Sequence, residues 1–139
     1  MRYFLILLLA AFAAPVRAQN TPPPVADKDI RLQTPEELTR TAASLEEAVR
    51  LKPADVDLQV KLGFTYTRLG KADEAQKAFE SAAALDPKKA IAHYMLGLIY
   101  EKKELKDKAV AAWKACLASA AEPRLRETAL KHLNNLTAR

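Results

Sequence analysis

One period dominates this sequence. Shifted by 34 positions, residues 56–89 fall on residues 90–123 and pair like with like: Leu62 on Leu96, Gly63 on Gly97, Tyr66 on Tyr100, Ala75 on Ala109 and Phe79 on Trp113. A unit of that length is too small to close a core of its own, so copies must stack and bury their faces against one another. The residue types decide what kind of unit it is. Half of the residues are apolar, only 6 % are aromatic and only three are Gly, while Ala, Leu, Lys and Glu prevail. Those are helix formers rather than strand formers, so the expected fold class is all-α, with each repeat a helical hairpin.

The two shared glycines need a reason, because Gly inside a helix costs about 1 kcal/mol relative to Ala. Opposing small residues, Ala75 and Ala109, supply one. Where Gly faces Ala, two antiparallel helices approach closely. The larger Leu62, Tyr66 and Phe79, or Leu96, Tyr100 and Trp113, then fill the space beside the contact. The hairpins are expected to turn near Gly70-Lys71 and near Glu104-Leu105.

Both ends fit the same scheme. Thr34-Pro35-Glu36-Glu37 has the residues of a capped helix start, with Thr34 as cap, Pro35 at the first helical position and Glu37 closing the box. A helix is expected from there to about Leu51, ended by Pro53, with Leu38, Ala42, Leu45, Ala48 and Val49 on one stripe. Leu45, Ala48 and Pro53 stand at the repeat offset from Phe79, Ala82 and Pro87, so this helix is the second half of a repeat that lacks its first. At the other end, residues 124–138 carry Leu125, Ala129, Leu133 and Leu136 on one stripe, as a solvated terminal helix should. Pro123 leaves a two-residue insertion open there.

The segment before the repeats divides in two. Arg2 precedes an apolar run at residues 3–14, followed by Pro15 and by Val16-Arg17-Ala18, which suits signal-peptidase cleavage after Ala18. The run is shorter than the roughly 20 apolar residues of a membrane span. No cysteine follows it for lipid attachment, since the single cysteine is Cys116. Residues 1–18 are thus expected to be a cleaved signal peptide, residues 19–33, with Pro22, Pro23 and Pro24, a flexible linker, and residues 34–139 the helical domain. The product would be exported, to the periplasm or beyond, without stable membrane insertion.

The period, with Leu-Gly-x-x-Tyr followed by Ala and an aromatic residue, resembles the tetratricopeptide repeat. Ala82 and Pro87 also stand where that family has Ala and Pro. The second repeat departs, with Cys116 at the small position and Ala121 at the proline position. The resemblance spans residues 34–139 and implies an αα-hairpin superhelix: about two full repeats, a half-repeat helix before them and a capping helix after. It also implies a concave groove, lined by the first helix of each repeat, that holds an extended peptide or a partner helix. By position, the groove residues would be Asp57, Val60, Phe64 and Thr67 in the first repeat and Ile91, Tyr94, Leu98 and Glu101 in the second. Members that clamp a C-terminal carboxylate use Lys and Asn where this chain has Val60 and Phe64, or Tyr94 and Leu98. An apolar, aromatic groove for a hydrophobic segment is expected instead. The alternative is that Phe64 and Leu98 pack on each other or under the terminal helix.

Little points to chemistry. His93 and His132 lie on different helices, His93 at a packing position, and Cys116 sits at a core position. Metal-ligand spacing, a phosphate loop and a nucleophile elbow are missing from the sequence, so neither metal nor cofactor nor enzymatic activity is expected. The formal charge of +5 falls to +3 once Arg2 and Arg17 are removed, with 20 basic against 17 acidic residues interspersed along the helices. That is the pattern of solvated faces rather than of a nucleic-acid stripe, so no nucleic-acid partner is expected. The function expected is a non-enzymatic protein-interaction module, a periplasmic adaptor or assembly factor. The alternative is a structural unit of the cell envelope whose apolar face pairs two copies as a homodimer.

Overall fold

A computed structural model describes residues 29–138. The expected signal peptide and residues 19–28 of the expected linker lie outside the described residues. Within them the chain is all-α: a short 3-10 turn, Ile30–Leu32, then α1 (Pro35–Leu51), α2 (Val56–Arg68), α3 (Ala72–Leu85), α4 (Ala90–Lys102), α5 (Lys106–Ser119) and α6 (Pro123–Thr137). Each helix packs on the next, most closely within the α2–α3 and α4–α5 hairpins.

Local chemistry sets the helix boundaries. Thr34 Oγ1 accepts from the Glu37 amide at 3.2 Å, and the Glu37 carboxylate accepts from the Thr34 amide at 2.7 Å, so the capping box starts α1. The Asp55 carboxylate caps α2 by accepting from the Leu58 amide at 3.1 Å. Both hairpins turn where expected and by the same device. The amide of Lys71 donates to the Tyr66 carbonyl and that of Leu105 to the Tyr100 carbonyl, each at 2.9 Å. One residue earlier the backbone is left-handed, with φ +72° at Gly70 and +59° at Glu104. Gly adopts that conformation freely; Glu104 does so at a cost.

The folded part begins before Thr34. Gln33 is buried and its Oε1 accepts from the Thr41 hydroxyl at 2.8 Å, while the Arg68 guanidinium donates to the Arg31 carbonyl at 3.2 Å. Asp29 to Gln33 is therefore docked on α1 and α2 rather than forming part of a free spacer.

The core corrects the reason for the glycines. What lies over Gly63 is the Phe79 ring, within 2.7 Å of where a Cβ would be; over Gly97 it is the Trp113 indole, within 2.5 Å. The close approach is thus of an aromatic plane onto a bare helix backbone. Ala75 and Ala109 are buried, at 1 % and 0 % exposure, but are not what the glycines make room for. Phe79 and Trp113 are fully enclosed and centre the main cluster, and Ala42, Leu62 and Ala78 form a smaller cluster under α1.

Polar ties repeat with the same period. The Tyr66 hydroxyl donates to Glu46 and the Tyr100 hydroxyl to Glu80, the latter at 2.7 Å, so each first helix is bonded to the second helix of the unit before it. Burial first, then the hydrogen-bonded carboxylate, pushes both phenols above their ordinary range.

α6 keeps the 34-residue register, without an insertion at Pro123. Ala129 is buried at the position of Met95, and Leu133 is half-buried at that of Ile99. Where the earlier first helices have Leu, Gly and Tyr, α6 has Leu130, Lys131 and Asn134, all exposed. It is the first helix of a third repeat, and Lys131 in place of Gly forbids an aromatic ring from settling on it.

Candidate functional site

The groove residues expected from the repeat register lie on α2 and α4, and each has a definite place. At one edge Asp57 is exposed and paired with Lys89 at 2.7 Å, and this cation lowers the Asp57 carboxyl below its ordinary range. Val60 is buried in the main cluster. Phe64 and Tyr94 are half-buried and stand edge-on against the enclosed rings beneath them, Phe64 to Phe79 at 5.3 Å and 84° and Tyr94 to Trp113 at 5.4 Å and 85°. Ile91 and Leu98 are half-buried against the same cluster. Thr67 is exposed and donates its hydroxyl back to the Gly63 carbonyl at 2.8 Å, which leaves the side chain lying along α2.

The apolar residues are therefore both core and surface. Their inner sides rest on Phe79 and Trp113, and part of each remains accessible. Phe64 and Leu98 pack on the main cluster and stay half-buried.

Glu101 is the least foreseeable of the eight. Its Oε1 accepts from Trp113 Nε1 at 2.5 Å and faces His132 Nδ1 at 2.7 Å. The His132 ring stacks on Trp113, with centroids 4.3 Å apart and planes inclined by 16°. His132 occupies on α6 the position of Phe64 and Leu98 on the earlier first helices. The 34-residue offset from Leu98 points to it, but only once the register across Pro123 is known. A recess lined by Glu101, Glu104, Lys106, Asn135 and Leu136 adjoins this cluster.

The residues weighed for reactivity have structural duties. Cys116 is fully buried, and burial pushes its thiol up, away from the reactive thiolate. His93, expected as core, is half-buried and its Nε2 bonds the Pro87 carbonyl at 2.7 Å, bracing the turn before α4. Among the described residues no three His, Cys, Asp or Glu side chains converge as metal ligands, and no helix is long and apolar enough to cross a membrane.

Residues 61–124 match the sequence model of the tetratricopeptide repeat. Together with the 34-residue hairpins and the stacked order of helices, the match gives residues 61–124 the pattern of a tetratricopeptide-repeat solenoid. No curated protein shows a significant match to the sequence. Among solved structures, the chain is similar to PcrH in complex with the chaperone-binding region of PopD, at 19 % identity and a TM-score of 0.67, covering 75 % of this chain and 81 % of that one. It is also similar to a thermophilic tetratricopeptide-repeat protein of Thermus thermophilus, at 25 % identity and a TM-score of 0.60, covering 70 % of this chain and 50 % of that one. MamA is similar at 18 % identity and a TM-score of 0.59, covering 74 % and 70 %.

Proposed function

We propose that this chain is a protein-binding module that holds an apolar segment of a partner protein in the groove along α2, α4 and α6. One observation carries the reading: Phe64, Ile91, Tyr94 and Leu98 stay partly exposed on neighbouring first helices although each is apolar or aromatic and rests on an enclosed ring or cluster. A surface built so is pre-organised, and pre-organised aromatic anchors lower the entropic cost of binding. That a similar fold is known with a chaperone-binding region bound is in keeping with a segment-binding role. The apolar run at residues 3–14 and the small residues before Gln19 support work outside the cytoplasm, in the periplasm of a bacterial envelope, as an adaptor or assembly factor.

The test pairs Phe64→Lys with Leu98→Lys, at equivalent positions of successive repeats. The aliphatic stem of lysine can cover the core-facing side while its ammonium projects into the groove. The fold should survive, with the loss of about 1 kcal/mol for the Phe64–Phe79 edge contact. Binding of whatever partner the wild type crosslinks in the native envelope should fall by thirtyfold or so, for about 2 kcal/mol at an aromatic anchor. A folded double variant that still holds the partner would move the site elsewhere. Light scattering on the wild type separates hetero-binding from pairing of two copies through the same face.

A further inference from the structure

The groove is not uniform along its length, and its polar end reports what the bound segment must carry. We infer that Glu101 is a specificity residue that takes a lysine or arginine side chain of the segment bound in the groove, an inference that rests on the groove being the binding face. Three observations lead there.

The first is position. Tyr94, Leu98 and Glu101 lie on one face of α4, with Glu101 a single turn beyond Leu98, so a segment lying on the two apolar residues continues onto the carboxylate. The second is fixation. Glu101 Oε1 is held by the Trp113 indole at 2.5 Å and by His132 at 2.7 Å, and Trp113 is fully enclosed. The carboxylate is thereby oriented before any ligand arrives, which spares the ordering cost that weakens most exposed charges.

The third is the unused oxygen. Both bonds fall on Oε1; Oε2 has no hydrogen-bond partner among the described residues, and the side chain keeps 27 % of its surface exposed. Glu101 also lines the recess between the α4–α5 turn and α6, where a second carboxylate, Glu104, is present. Lys106, the cation of that recess, makes no ion pair with either glutamate. One fixed acceptor with a free oxygen, beside a second acid and at the end of an apolar strip, is complementary to an apolar segment that carries a basic side chain.

The experiment selects a random peptide-display library on the wild-type domain, on Glu101→Gln and on the Phe64→Lys, Leu98→Lys double variant. Glutamine keeps an oxygen for Trp113 and differs from glutamate in charge and in the second acceptor. A melt within about a degree or two of the wild type confirms that the core is intact. The expected result is a wild-type consensus of apolar residues with Lys or Arg at a constant spacing, and a Glu101→Gln consensus that keeps the apolar residues and loses the basic one. In a selected peptide, replacing the basic residue by Ala should weaken binding about tenfold to the wild type and less than twofold to Glu101→Gln. A basic position absent from the wild-type consensus, or retained undiminished by Glu101→Gln, overturns the inference while leaving the groove in place. Failure to enrich any peptide, or an unaltered consensus on the double variant, overturns the groove reading and this inference with it.

Discussion

Replacing Gly97 by Ala isolates the packing on which the repeats depend. A methyl group there would lie 2.5 Å from Trp113 Cε2 and 2.7 Å from Cδ2, where carbon atoms ordinarily sit about 3.5–4 Å apart, so ring or helix must yield by about 1 Å. The ring has nowhere to go. Tyr94 stands on it edge-on, His132 stacks on it, and its Nε1 is bonded to Glu101. Overpacking of this kind costs about 1–3 kcal/mol, and a pinned ring belongs at the upper end. Against that, Ala returns about 1 kcal/mol of helix propensity. The net expectation is a loss of about 2 kcal/mol, which at about 4–8 °C per kcal/mol lowers the melting temperature by about 8–16 °C. Gly63→Ala meets only the Phe79 ring, which no side-chain hydrogen bond anchors, so it should lose less. Circular dichroism melts at matched concentration measure both. A Gly97→Ala protein melting at or above the wild-type temperature would show propensity winning, and the ring would not then lie on the helix backbone.

Other outcomes follow from single features. Glu104→Gly should raise stability by about 1 kcal/mol, because the residue sits at φ +59° and Gly relieves that strain; a lower melting temperature would mean that the Glu104 side chain contributes more than its backbone costs. In alkaline titration followed by tyrosinate absorbance, Tyr66 and Tyr100 should stay protonated beyond the ordinary value of 10.0, and Tyr100→Phe should remove one late-titrating group. The raised phenols contribute stability that is fully present below pH 10.0, the unfolded value, and is lost as the pH climbs towards their folded values, so denaturant midpoints should fall over that alkaline range and stay flat at neutrality.

The parts of this molecule legible in its sequence are those set by local chemistry or by the period. Thr34, Pro35 and Glu37 act within one turn of helix, and Gly70 marks a left-handed position by its identity, so both are readable without a fold. The 34-residue offset then carries the Gly70 turn to Glu104, which nothing about glutamate would suggest. What escaped depends on which atoms meet across helices. Periodicity showed that Gly63 and Gly97 need close neighbours but not that the neighbours are ring faces, because Ala75 and Phe79 lie on the same side of one helix. His93 was expected in the core by its position and is drawn instead to the Pro87 carbonyl, a partner that only the turn geometry supplies. The Trp113–Glu101–His132 cluster joins three helices across a break in the pattern at Pro123, so the sequence alone does not bring these residues together. For the residues that the register sets on one face of the first helices, the helix is legible and the degree of burial is not, since Val60 and Phe64 are both apolar and differ in how far the core closes over them.

The central claim, that the apolar face of the first helices receives a partner, is tested most directly by placing a photoreactive phenylalanine analogue at Tyr94 and, as a control, at Lys114, an exposed residue of α5. After irradiation in the native cells, the Tyr94 position should yield one discrete adduct of this chain with another protein, and Lys114 none. The same adduct from Lys114 with none from Tyr94 would put the interaction on the outer face and contradict the account.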